Sequence, residues 1–161
     1  MTPNHGGLVL IAISLLAALT VELLPLPNTI QPWQPPWLLL TVLFWALHRP
    51  GIIGMTSAWG AGLVYDAALG SPLGAHALLF CLIAALILAA QRLLLALPMI
   101  QQALWVSLLV LLHQFMALIL EGGFSHGTPA LLPHLASALI TLLAWPLIHV
   151  LLLDKQRRLM G

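Results

Sequence analysis

Long apolar stretches, separated by short polar or proline-rich breaks, run through the whole chain. A helix needs about 20 mainly apolar residues to cross the roughly 30 Å hydrocarbon core of a bilayer, and it must bond its backbone groups internally. The pattern predicts six such helices, over residues 8–24, 35–48, 51–69, 73–90, 103–120 and 131–153. We therefore predict an all-α integral membrane protein that forms one polytopic domain over residues 1–161.

The composition agrees with a membrane protein. Hydrophobic residues make up 61% of the 161 residues and charged residues 6%, whereas soluble globular domains carry roughly 25% charged residues. The mean hydropathy is +1.08. The net charge is only +1 and the basic residues are scattered, so we expect no nucleic-acid partner.

The basic residues predict the orientation. With six crossings, all five fall on one side of the membrane: Arg49, Arg92, Lys155, Arg157 and Arg158. The positive-inside rule makes that side cytoplasmic and places both termini there. The second segment is the least secure, because its apolar run, Trp37–Leu47, is short. A five-crossing arrangement without it would separate Arg49 from the basic C-terminus, so we prefer six.

The segments that connect the predicted helices also contain residue patterns that predict their conformation. Five prolines between Pro25 and Pro36 exclude a helix and favour an extended link. Gly70-Ser71-Pro72 predicts a tight hairpin, with a glycine that ends one helix, a serine N-cap and a first-turn proline. The stretch Gln91–Gln102 stays apolar around Arg92 and is expected to lie along the membrane surface.

Small residues recur every four positions in the third segment. The repeat consists of Gly54, Ala58, Gly62, Asp66 and Gly70. Small side chains let two helix backbones approach closely, which is a main source of helix association in lipid. We expect this stripe to pack against another helix of the same chain, with a partner protein's helix as the alternative.

Carboxylates near the outer ends of three segments are candidate functional groups. An ionised Asp66 facing lipid would be costly, so it must face protein or water. An interhelical hydrogen bond that closes the hairpin is the simplest role, and Asp66→Asn would then be nearly silent. A ligand cavity or a partner contact is the alternative. Glu22, Asp66 and Glu121 lie at similar depth and could together line a polar outer cavity.

Catalytic and metal-binding signatures are not found. The seven histidines, His5, His48, His76, His113, His126, His134 and His149, form neither an HExxH motif nor an i,i+4 pair. The single cysteine, Cys81, forms no CxxC pair, and Ser57 has no nucleophile-elbow context. We therefore expect no catalytic residue, no metal site and no cofactor.

A series of short motifs resembles the MreD family of rod shape-determining membrane proteins. In chain order they are Leu24-Pro25-Leu26-Pro27, Pro36-Trp37, Phe44-Trp45 with Arg49-Pro50, Gly62-Leu63-Val64-Tyr65-Asp66 with Gly70 and Leu73-Gly74, Gln101-Gln102-Ala103, and Trp145-Pro146. The central group is similar to the family's Gly-x-x-x-Asp-x-x-x-Gly-x-x-x-Gly stretch, which adds Gly74 to the predicted packing stripe. The order and spacing of these motifs carry the resemblance.

The resemblance implies a non-enzymatic subunit of the bacterial inner membrane. Such a subunit associates with MreC and, through it, with the actin-like MreB filament and the elongation transpeptidase and glycosyltransferase. It acts as a scaffold that holds partner transmembrane helices in register for peptidoglycan synthesis. The resemblance also implies a fold similar to the six-helix substrate-binding subunits of energy-coupling-factor vitamin transporters. No catalytic residue transfers from the family.

Two other functions remain as alternatives. In a transporter substrate-binding subunit, the outer cavity near Glu22, Asp66 and Glu121 would take a vitamin-type molecule. A ligand pocket needs several converging polar groups, and we expect the outer halves of the helices to offer few. A channel or proton relay would need polar residues lined up through the membrane. The family resemblance favours the scaffold.

Overall fold

The computed structural model describes residues 5–27, 30–120 and 131–160. These residues form seven α-helices and one short 3₁₀ helix: α1 (His5–Glu22), η1 (Gln31–Trp33), α2 (Trp37–His48), α3 (Met55–Leu69), α4 (Ala75–Ala89), α5 (Gln91–Ala96), α6 (Met99–Leu120) and α7 (Leu131–Met160). Within the described ranges there is no β-strand. The predicted all-α class is confirmed.

Helix α2 lies at the centre of the bundle. All ten residues from Leu38 to Leu47 are buried, and the helix contacts α1, α3, α4 and α7. A helix that is apolar on every face belongs in a protein core or in lipid, and here the other helices surround it. The short apolar run that made this segment the least secure prediction is therefore the core of the fold.

The peripheral helices leave large apolar side chains exposed. The exposed residues include Val9, Ile13, Leu16, Leu78, Leu82, Leu104, Leu108, Leu139, Leu143 and Leu147. Contiguous exposed apolar surface of this kind faces lipid or another protein. Among the described residues, two stretches are long and apolar enough to cross a membrane, Met99–Leu120 and Leu132–Lys155. Shorter apolar helices cover Gly6–Glu22, Trp37–His48 and Ala75–Ala89.

Helix lengths bear on the number of crossings. At a rise of 1.5 Å per residue, the 12 residues of α2 and the 15 residues of α3 span about 18 and 22 Å, less than the roughly 30 Å of a hydrocarbon core. Six crossings and cytoplasmic termini therefore stay predictions. The third predicted segment also begins too early, because residues 51–54 form a turn and Gly54 is the N-cap of α3.

The connection between α4 and α6 is helical for most of its length. It contains α5, which ends where Leu97 adopts an extended backbone (φ −83°, ψ 150°). A residue before proline is pushed out of the helical region, so Pro98 sets this break. Helix α6 then begins at Met99, four residues before the predicted start of the fifth segment at residue 103.

The α3–α4 hairpin is tight, but its capping differs from the prediction. Helix α3 ends at Leu69, and Gly70 has a left-handed backbone (φ +69°) with its N–H donating to the carbonyl oxygen of Asp66. The predicted Ser71 N-cap is wrong, because α4 begins at Ala75 and its N-cap is Gly74 (φ +102°). Ser71 instead donates its hydroxyl to the Asp66 carboxylate.

Replacing Gly70 with alanine is expected to destabilise the hairpin. A side chain on a left-handed residue costs about 1–2 kcal/mol, which should lower the thermal unfolding midpoint by a few degrees. Gly51→Ala is the matched control, since Gly51 lies in a turn with no atom near its Cβ position. Equal unfolding midpoints for the two purified variants would contradict the assignment of Gly70 as a conformational stop.

Candidate polar cavity at the Asp66 end of the bundle

The predicted small-residue stripe meets helix α4 of the same chain. Ala58, Gly62 and Asp66 form the buried face of α3. A Cβ atom added to Gly62 would lie 2.7 Å from the backbone nitrogen of Ala77 and 2.9 Å from the carbonyl oxygen of His76. The two helix backbones are thus in direct contact at Gly62, whereas Gly54 and Gly70 lie at the two ends of α3.

Asp66 is fully buried and caps the start of α4. Its Oδ2 accepts hydrogen bonds from the backbone N–H groups of Gly74 (2.8 Å) and Ala77 (3.3 Å), and its Oδ1 from that of His76 (3.1 Å). The first N–H groups of a helix have no partner within the helix, and a carboxylate there also interacts well with the helix dipole. Gly74 has no side chain to cap α4, so Asp66 supplies the cap from α3.

Two side chains complete the surroundings of Asp66. The Oγ of Ser71 donates to Oδ1 at 2.9 Å, and Nδ1 of His76 lies 2.9 Å from the same oxygen. An ionised carboxylate only accepts hydrogen bonds, so Nδ1 of His76 carries the hydrogen. Donors therefore face both oxygens of Asp66. This changes the expectation for Asp66→Asn, whose amide N–H₂ group would face other donors.

Glu22 caps the start of α2 in the same way. Its Oε2 accepts the backbone N–H of Leu38 at 2.8 Å, and the hydroxyl of Tyr65 donates to Oε1 at 3.3 Å. Leu38 is the second residue of α2, so this carboxylate also satisfies a free N–H in the first helical turn. Glu22 closes the α1–α2 hairpin as Asp66 closes the α3–α4 hairpin.

A polar cavity of about 210 Å³ lies at this end of the bundle. Its polar lining consists, among the described residues, of Glu22, Gln31, Gln34, Tyr65, His76, His113, Gln114 and His134. Asp66 is not among the described residues that line it, but Nδ1 of His76, which does line it, contacts the Asp66 carboxylate. Glu121 lies outside the described residues. Of the three carboxylates predicted to line an outer cavity, the structure thus places Glu22 at the cavity and Asp66 behind it.

Hydrogen bonds tie the cavity wall together across helices. The side-chain nitrogen of Gln34 donates to the carbonyl oxygen of Val21 at 3.1 Å, and the Gln34 carbonyl oxygen accepts the hydroxyl of Ser137 at 2.9 Å. Gln114 in turn donates to Oγ of Ser137 at 2.7 Å. The wall therefore joins α1, the segment after η1, α6 and α7 into one frame.

His113 and Gln114 were missed as site residues from the sequence. The spacing of the histidines predicts no metal site, and the described residues contain no group of three potential metal ligands. The sequence does contain a signal for these two site residues. His113 and Gln114 are adjacent polar residues within the apolar α6, and such residues must face the protein interior or a cavity. The expectation of few polar groups in the outer halves is wrong for this end of the bundle.

These features define a small α-helical membrane protein, with an apolar exterior, a buried central helix and a polar cavity at one end. The sequence profile of the family described as rod shape-determining protein MreD matches residues 5–155. The rod shape-determining protein MreD of Haemophilus influenzae (strain ATCC 51907 / DSM 11121 / KW20 / Rd) is 31% identical over 145 residues, which cover 88% of this chain and 86% of that protein.

The chain belongs to the MreD family of rod shape-determining proteins. The family resemblance read from the sequence motifs is confirmed, and membership implies a role in cell shape. No solved structure matches the chain significantly.

Proposed function

We propose that the chain is a non-enzymatic scaffold subunit of the cell-elongation machinery in the bacterial inner membrane. In this role it couples MreC, and through MreC the MreB filament, to the transpeptidase and glycosyltransferase that build peptidoglycan. The observation that carries the proposal is the family match, which extends over residues 5–155 of the 161-residue chain. It covers α1 to α6 completely and α7 as far as residue 155, so it concerns nearly the whole bundle.

The surface of the bundle supports a scaffold role. Helices α1, α4, α6 and α7 all expose large apolar side chains, such as Leu143 and Leu78. These faces suit neighbouring transmembrane helices or lipid acyl chains. The fully buried α2 offers no such face, so partners would contact the peripheral helices.

The proposed topology has six crossings with both termini in the cytoplasm. Arg49 follows the end of α2, Arg92 lies in α5 just after α4, and Lys155 lies late in α7. Since Glu22 and Asp66 close the other ends of their hairpins, these basic residues belong to the end of the bundle opposite the cavity. Under the positive-inside rule that end is cytoplasmic. We also propose the expected similarity to energy-coupling-factor substrate-binding subunits.

Depletion of the protein in its native host is expected to turn rods into rounded cells. Microscopy of the depleted strain, with a plasmid-borne copy for rescue, measures this directly. Rounded cells restored to rods by the plasmid would support the scaffold, and recovery of MreC with the affinity-purified chain would then test the partner. Rods that persist after depletion would overturn the proposal.

The polar cavity gives some support to the alternative of a vitamin-transporter subunit. The depletion strain distinguishes this alternative from the scaffold. A depleted strain that keeps its rod shape but grows only when a vitamin is supplied would favour a transporter subunit. Rounding without any nutritional requirement would favour the scaffold. The family match favours the second outcome.

A further inference from the structure

His113 is a buried polar residue in the wall of the cavity. Its side chain lines the cavity, the residue is only 5% exposed, and neither Nδ1 nor Nε2 has a hydrogen-bond partner among the described residues. An unsatisfied buried donor or acceptor is strongly unfavourable, so such groups in a native fold normally have a partner or a function. The His113 ring lies beside the rings of His76 (5.9 Å between centroids) and Phe80 (5.5 Å), but neither ring forms a hydrogen bond with it.

Two other residues that line the cavity, Gln114 and Glu22, have acceptor capacity to spare. Oε1 of Gln114 is buried and has no partner within the part of the chain that the structure describes, while its Nε2 is engaged by Ser137. The Glu22 carboxylate accepts two hydrogen bonds, one of them long at 3.3 Å, and a carboxylate has about four acceptor sites. A neutral His113 adds one donor and one acceptor. A matching ligand must therefore mainly donate.

The charge of the lining limits the ligand further. No lysine or arginine is among the described residues that line the cavity, whereas Glu22 contributes a carboxylate. An anion placed here would meet a carboxylate without a fixed positive charge to offset it. The described lining therefore gives a phosphate or carboxylate group no fixed cation to pair with.

Size sets the last limit. Pockets for drug-sized ligands are roughly 300–1,000 Å³, and the 210 Å³ cavity is smaller. It is still several times the roughly 30 Å³ that one water molecule occupies in the liquid. A monosaccharide or a smaller group fits this volume.

We propose that this cavity binds a small uncharged or cationic group that carries several hydroxyl or amine hydrogens, with His113, Gln114 and Glu22 as its hydrogen-bond partners. This site is additional to the scaffold role and does not depend on it. Two kinds of molecule can supply such a group: a free hydroxylated or amino compound, and the headgroup of a lipid.

Thermal unfolding of the purified full chain distinguishes these sources. Glucosamine is the free probe, and inorganic phosphate is the anionic control. Nanodiscs of phosphatidylethanolamine, whose ammonium group donates hydrogen bonds, are compared with nanodiscs of phosphatidylcholine, whose headgroup has no such hydrogens. Either glucosamine or phosphatidylethanolamine is expected to raise the unfolding midpoint by about 3 °C or more near saturation. Inorganic phosphate should leave the midpoint unchanged.

His113→Phe is the test variant, because phenylalanine keeps the ring shape and removes both nitrogens. It should abolish the rise, while the ligand-free variant stays at least as stable as the wild type. Ser107→Ala is the matched control, since Ser107 is also a buried group of α6 without a described partner but does not line the cavity. It should keep the full rise.

Native mass spectrometry of the wild-type chain gives a readout that needs no variant. A retained mass of lipid size would assign the site to a headgroup, and a retained mass of sugar size would assign it to a free compound. The proposal is overturned if neither donor shifts the midpoint and no polar mass is retained, or if His113→Phe responds as the wild type does.

Discussion

Gly62→Ala is expected to lower the stability of the protein by roughly 3 kcal/mol, an effect at the upper end for a single added methyl group. The added Cβ would collide with the backbone of α4 at His76 and Ala77. Backbone atoms cannot rotate away as a flexible side chain can, so α3 and α4 would have to separate. Separation would also pull the Asp66 carboxylate away from the N–H groups that it caps.

Gly60→Ala is the matched control for this prediction. Gly60 lies on the same helix, and no atom lies within 4 Å of its Cβ position. We expect an unfolding midpoint about 6–12 °C below the wild type for Gly62→Ala and little change for Gly60→Ala, with membrane levels following the same order. Two variants of equal stability would show that α3 and α4 do not meet at Gly62.

Asp66→Asn is expected to cost about 3 kcal/mol, because each buried donor left without an acceptor costs about 1–3 kcal/mol. If the amide nitrogen replaces Oδ2, the N–H groups of Gly74 and Ala77 lose their acceptor. If it replaces Oδ1, the backbone N–H of His76 loses its acceptor, and the Ser71 hydroxyl and the His76 ring must turn from donor to acceptor. Neither orientation of the amide satisfies the site.

Ser71→Ala isolates one donor of the same cluster. It removes a hydroxyl that donates to Oδ1 but leaves both backbone and ring donors of His76 on that oxygen. We expect a loss of about 1 kcal/mol or less, measured by thermal unfolding beside Asp66→Asn. An Asp66→Asn variant as stable as Ser71→Ala would mean that the carboxylate does not cap α4 as described.

The sequence predicted the helical class and the order of the segments because apolar runs of this length have few other solutions in lipid. It also predicted the end of α3, since Gly70 can adopt a left-handed backbone without strain. The start of α4 was not predictable from local signals. Ser71-Pro72 carries a familiar capping pattern, but the cap comes from Asp66, eight residues before Gly74.

The cavity was predictable only in part. Glu22 stood out as a carboxylate at the end of an apolar segment, and Asp66 stood out for the same reason. Their different positions depend on how α2 and α4 begin, which no local pattern encodes. His113 and Gln114 lie in the middle of α6, and only the packing of α6 beside α4 and α7 brings them to the cavity wall.

The positions of the two capping carboxylates affect how the helices can form during synthesis. Glu22 belongs to the helix that leaves the ribosome just before α2, and Asp66 to the helix that leaves it just before α4. Each new helix thus finds the acceptor for its first N–H groups already synthesised, at the end of its predecessor. Helices α1 and α2, and then α3 and α4, can therefore form as consecutive pairs, because in each pair the earlier helix carries the acceptor for an N–H group in the first turn of the later one.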